Sequence, residues 1–308
     1  MLLTAAVLAA QPGGGAPLPE AARPGQALLR EGKLDEALAV YKKALAGAAD
    51  SLPLNNATGV LLDLMGQGAE ARKYFAKAIE LAPDPQAKSV QQRAMAMSYA
   101  FQSDCPNTVK YEQMVIAYWV SREREDPANA FYQEGEIADE AARVCIDSGD
   151  LDAAAKWYKA GHDYGLKQPD LTAVRKDTWE FRWEHAQARI AARRGNKADA
   201  LKHIAAAKAI LDKDDQLAHG TGTGENQAQF FPYLTGYVAL YTGDYKTALD
   251  DLRKANQNDP FYQCLIGQAY EKLGQKDQAM ECYRKAAATT NHNPPAAFAR
   301  PFARKKLG

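Results

Sequence analysis

Residues 25–44 read GQALLREGKLDEALAVYKKA, and residues 59–78 read GVLLDLMGQGAEARKYFAKA, the same design displaced by 34 positions. In each stretch a small residue stands seven positions before an internal Gly, and an Ala follows five positions after it. A large apolar residue comes four beyond the Ala, and a small one three further on. These columns are Gly25, Gly32, Ala37, Tyr41 and Ala44 in the first stretch, and Gly59, Gly66, Ala71, Phe75 and Ala78 in the second. Four more Gly/Ala pairs at the same spacing, Gly149/Ala154, Gly195/Ala200, Gly243/Ala248 and Gly274/Ala279, carry the pattern along the chain. Small residues let two helices approach closely, the large side chain fills the space between them, and Gly ends the first helix in a left-handed conformation. Spacings of three and four on both sides of the Gly give two amphipathic helices, and so a helical hairpin.

This pattern of small residue, Gly, Ala, large residue and Ala, with Pro83 and Pro260 in closing positions, resembles the tetratricopeptide repeat (TPR). The resemblance implies an all-α TPR-type solenoid of six or seven helical hairpins in a right-handed superhelix over residues 22–290. A degenerate seventh hairpin follows the second, with Met97, Asp104, Val109 and Ile116 in the equivalent places. The interval between equivalent positions widens from 34 to 38, 45, 46 and 48 before falling to 31. Glu123–Asn129, Asp163–Thr178 and Asp212–Gln229 are therefore read as loops or helix extensions between hairpins. The stretches HGTGTGEN, FFPYLTGYVALYTGDY and HNPPAAFARPFARKKL resemble a group of exported bacterial TPR proteins.

The 308 residues carry 38 Lys and Arg against 38 Asp and Glu, a balance that argues against nucleic acid as a partner. A charged share of 25% excludes a polytopic membrane protein, and an apolar share of 46% excludes a wholly disordered one. Residues 1–21 read as a signal peptide and a flexible Pro/Gly leader: Met1–Ala10 is apolar, ends in small residues, and is too short to span a bilayer. The expected location is extracytoplasmic, periplasmic or secreted, with a cytoplasmic protein as the alternative. Residues 291–308 read as a basic capping segment for the end of the array, with Phe298 and Phe302 one turn apart beside Arg300, Arg304, Lys305 and Lys306. Contact with an anionic membrane or polyanion is its sharper reading. In the repeat register, Cys105 and Cys145 fall near the same end of adjacent hairpins and form the candidate disulfide, with buried free thiols as the alternative.

Signatures of catalysis are absent: the chain has no HExxH, no GxSxG and no Ser after Ser148. His219–Gly224 is a Gly-rich connector that follows a helix and does not match the dinucleotide fingerprint. His185/His203 and Cys264/Cys282 are each 18 apart, but two ligands do not make a zinc site. No cofactor, metal site or catalytic residue is expected.

In TPR proteins the first helix of each hairpin lines the concave groove, and the resemblance assigns the side chains that face it here. They are a basic stripe of Arg182, His185, Arg189 and Arg193, an aromatic stripe of Phe230, Tyr233, Tyr237 and Tyr241, and Arg143 from the preceding hairpin, diluted by Glu136 and Asp139. Arg and aromatic side chains are enriched at binding hot spots. The expected function is a non-enzymatic scaffold that binds a partner peptide or protein. A glycan or small-ligand binder using the tyrosine stripe is the alternative, and self-association through the array ends a further reading. If the 212–229 segment folds over the tyrosines, they become ordinary core. The family's carboxylate clamp is not reproduced: Asn56 stands at one of its positions, but Ala22 occupies another.

Overall fold

The computed structural model describes residues 17–220 and 226–308, which leaves residues 1–16 of the expected leader and most of the Gly-rich connector outside the described residues. Within the described residues there are sixteen α-helices and no strand. Fourteen of them pair into seven hairpins. The first three are α1 (Arg23–Arg30) with α2 (Leu34–Gly47), α3 (Leu52–Leu64) with α4 (Gly68–Glu80), and α5 (Pro85–Ala100) with α6 (Cys105–Val120). The next two are α7 (Pro127–Ser148) with α8 (Leu151–Gly165), and α9 (Ala173–Arg193) with α10 (Lys197–Lys213). After the short α11 (Asp215–His219) come α12 (Phe231–Tyr241) with α13 (Tyr245–Leu252), α14 (Pro260–Lys272) with α15 (Lys276–Ala287), and the unpaired α16 (Pro294–Leu307).

The repeat chemistry acts as its residues dictate. Gly32, Gly66, Gly149, Gly195, Gly243 and Gly274 each end the first helix of a hairpin with φ between 75° and 94°, where a Cβ would be strained. A Cβ on Gly59 would lie 2.8 Å from the Phe75 ring, so the small column exists to admit the large one. Asp or Asn follows several of these turns and caps the second helix, as Asp150 does by accepting from the Ala153 amide at 3.0 Å.

The third hairpin corrects the expected register by one residue. Its turn residue is Ser103, at φ 56°, so the columns are Ala96, Ser103, Thr108, Glu112 and Val115 rather than Met97, Asp104, Val109 and Ile116. Glu112 thus occupies the place that Phe75 and Tyr158 hold elsewhere. It is fully buried, beside the carboxyl of Glu140. Burial, with Glu140 as the nearest like charge, pushes its pKa well above the carboxylate range.

The longer intervals are partly helix. α7 and α9 run to 22 and 21 residues against 13 in α3 and α14, and the third insertion contains α11. Cys105, the first residue of α6, is disulfide-bonded to Cys145 near the end of α7, joining the third hairpin to the fourth. Cys264 and Cys282 are buried free thiols.

The chain closes on itself through α16. This helix packs on α14 and α15 and also touches α5 and α7. Ala296 and Ala297 join the core of the first hairpins. Arg300 is buried and donates through Nε to the Leu64 carbonyl at 2.7 Å and through Nη1 to the Thr289 carbonyl at 2.6 Å, capping the C-terminus of α3. Arg304 also reaches the Leu64 carbonyl, at 3.2 Å. Just before α16, His292 Nε2 lies 2.8 Å from Asp63 Oδ2, and its ring stacks on Phe101 with centroids 5.1 Å apart. Lys306 pairs with Glu271 at 2.8 Å, so of the four cations in this segment only Lys305 lacks a protein partner among the described residues.

Candidate functional site

α7, α9 and α12 are consecutive first helices of hairpins, and equivalent positions on them fall side by side. Counted back from Gly149, Gly195 and Gly243, the rows are Glu136, Arg182 and Phe230; Asp139, His185 and Tyr233; Arg143, Arg189 and Tyr237; and Asp147, Arg193 and Tyr241. The lateral contacts follow these rows. Arg182 Nη1 pairs with Glu136 Oε1, and the His185 and Tyr233 rings stand 5.2 Å apart. Arg193 Nη1 donates to Tyr237 Oη at 3.3 Å, while its guanidinium lies 4.8 Å from the Tyr241 ring.

The first two rows and Arg143 and Arg189 of the third enclose a cavity of about 290 Å³, with Tyr158 from α8, Tyr262 from α14 and Pro294 from α16 completing the wall. Of the residues expected to bind a partner, Arg143, Arg182, His185, Arg189, Phe230 and Tyr233 therefore meet at one place. Arg193, Tyr237 and Tyr241 lie beside it and do not line it. Tyr237 is 0% exposed and Tyr233 4%, so the tyrosine stripe is not an open stacking platform. α9 and α14 pack against it, with Tyr262 stacked on Tyr233 at 4.6 Å. The 212–229 segment contributes Gln227 to the lining, and Phe230, the residue just after it, stands at the rim and is 38% exposed.

Arg189 is 5% exposed and donates to two neutral phenols, Tyr158 Oη at 2.6 Å and Tyr233 Oη at 3.1 Å, while its Nε has no partner. His185 is 9% exposed with an unpartnered Nε2. Burial, followed by the charges of Arg189, Arg143 and Arg182, holds its pKa well below the imidazole range, so the ring is neutral. Arg143 stacks over the Phe261 ring at 4.9 Å. Burial pushes Asp139 up to about 7 against the opposing pull of Arg182, and Asp147 up to about 6 against Arg143. The Glu140 carboxylate is taken by Arg93 from α5.

Tyr158, Phe181 and Tyr262 are cavity residues that the reading of first-helix stripes did not single out for binding. Tyr158 is the large residue of its own repeat and reaches the cavity through its hydroxyl. Phe181 and Trp179 start the core face of α9, both 1% exposed. A row-by-row comparison of neighbouring helices, rather than a reading along each helix, is the signal that would have found the lateral pairs.

The two equally spaced pairs do not form sites. His203 Nδ1 lies 2.6 Å from Glu184 Oε2, away from His185, and among the described residues no group of three His, Cys, Asp or Glu is placed to hold a metal ion. No helix of the described residues is long and apolar enough to cross a membrane.

Family models described as tetratricopeptide repeat match residues 28–94 and residues 262–290. Among solved structures, the crystal structure of the P58(IPK) TPR domain is similar at 14% identity, over 92% of this chain and 96% of that chain, with a TM-score of 0.22. No curated protein is similar at a significant level.

Proposed function

We propose that this all-α array, in which residues 28–94 and 262–290 match models of the tetratricopeptide repeat, a unit that generally mediates protein–protein interaction, is a non-enzymatic scaffold that seats a segment of a partner protein in the cavity between α7, α9, α12 and α14. The observation that carries this reading is the convergence of Arg143 from α7, Arg182 and Arg189 from α9, Phe230 at the start of α12 and Tyr262 from α14 around one recess of about 290 Å³. Arg and aromatic groups converging on one recess are the composition of an interface hot spot. The glycan alternative finds no such support, because the tyrosine stripe it needs is buried.

The non-catalytic reading is supported by the tetratricopeptide-repeat matches, since such repeats typically serve as scaffolds. Export is supported by the Cys105–Cys145 disulfide, which suits an oxidising compartment.

The test is affinity capture with the full chain, comparing wild type with a Phe230→Ser/Arg143→Gln double variant and with the outer-face variant Leu201→Ser, whose parent residue is exposed on α10. A protein retained by wild type and Leu201→Ser but lost from the cavity variant is the expected result. Equal retention by all three overturns the placement of the partner in the cavity.

A further inference from the structure

Of the guanidinium groups that line the cavity, that of Arg143 is the one the described residues leave without an acceptor. Arg182 is committed to Glu136, and Arg93 to Glu140. Arg189 and Arg193 donate to phenol oxygens, which are neutral acceptors, and among the described residues neither is within ion-pair distance of a carboxylate. Arg143 is less engaged still. It lines the cavity, its guanidinium is stacked on Phe261, and none of its nitrogens has a hydrogen bond or ion pair to a described residue. A half-buried guanidinium without an acceptor is costly to leave unmatched. The carboxyl groups that act on Arg143 through space, Asp259 and Asp147, make no hydrogen bond or ion pair with it, and burial pushes Asp147 up to about 6 and Asp139 up to about 7. Pro294, the first residue of α16, lines the same cavity, so the positive end of that 14-residue helix lies at its wall. Phe181, Phe230 and Tyr262 supply apolar walls around this positive floor.

Resting on the partner reading for its place, we propose that the cavity is a carboxylate site in which Arg143 is the binding residue, taking an acidic group carried on an apolar or aromatic body. A guanidinium offers two parallel donors to a carboxylate, and its stacking on Phe261 holds the planar fork in one orientation before the ligand arrives. The volume of about 290 Å³ suits one acidic residue or one chain end with its side chain, not a folded surface.

N-acetylphenylalanine and its C-terminal amide are the probes, each titrated calorimetrically into the full-length protein. The free acid is expected to bind at least tenfold more tightly than the amide. Arg143→Gln is expected to weaken the acid at least tenfold while leaving the amide unchanged, and Arg143→Lys to restore part of the loss. Near-ultraviolet circular dichroism shows whether the variants keep their packing, and the acid–amide comparison on wild type needs no variant. Equal affinity for acid and amide, no binding of the acid, or an unchanged affinity in a folded Arg143→Gln overturns the proposal. A protein partner captured at the cavity without acid–amide discrimination leaves the scaffold reading standing and sinks this one. Acid binding with no captured protein supports this site and counts against the scaffold reading.

Discussion

At the scale of single residues, the protein keeps several carboxyl groups where carboxylates are disfavoured. Glu112 stands where other repeats place a large apolar side chain, and is fully buried beside Glu140. Glu112→Leu restores the apolar column, and we expect it to raise the unfolding free energy by about 1–3 kcal/mol, read by urea denaturation. Glu134 is also buried, and desolvation, then Glu123, pushes it up to about 7. With Asp139 at about 7 and Asp147 at about 6, these groups bind protons more tightly in the folded chain than in the unfolded one, where carboxyls titrate near about 4. The folded state therefore holds the extra protons between about pH 4 and pH 7, and stability falls as pH rises through that window. His185, held neutral by burial, acts in the opposite sense below about pH 6.5, but it is one group against several. The melting temperature is expected to be higher at pH 5.5 than at pH 8, with Glu134→Gln flattening the difference. A melting temperature that rises from pH 5.5 to pH 8 contradicts these burial assignments.

At the scale of elements, the hairpins were legible because their rules are local. A Gly at positive φ, a small residue facing a large one and a polar cap all fall within about twenty residues, so sequence spacing alone exposes them. The third hairpin escaped by one position because Ser103 takes the turn that Gly makes elsewhere, and Glu112 and Thr108 hide its apolar columns. The tyrosine stripe was legible as a stripe but not as buried, since burial depends on α9 and α14, whose closeness is a tertiary fact. The disulfide acts at this scale too. Joining Cys105 to Cys145 closes a loop across 40 residues between the third and fourth hairpins. Chain-entropy arithmetic gives a loss of about 4 kcal/mol when both are replaced by Ala, measured by denaturation of the variant beside wild type under non-reducing conditions. No loss would mean that the link contributes nothing to stability in solution.

At the scale of the whole molecule, the last helix decides the shape. α16 carries Arg300 to the end of α3 and is preceded by His292, bonded to Asp63, so residues more than two hundred positions apart are joined by hydrogen bonds. The basic run before the C-terminus reads in sequence as a solvated cap, and nothing in its spacing reveals that Arg300 and Arg304 would find backbone carbonyls of the second hairpin. Removing residues 291–308 is expected to open the array, seen as a larger radius of gyration in small-angle scattering, and to abolish the acid binding that needs the wall near Pro294. The central claim is that the inner cavity, not the outer face of the hairpins, receives the partner. The most direct test places a photo-crosslinking side chain at position 230 on the cavity rim and, in a second protein, at position 201 on the exposed side of α10. Adducts with one discrete partner from position 230 and none from position 201 are the predicted result. Adducts from position 201 alone, or in equal yield from both, would contradict it.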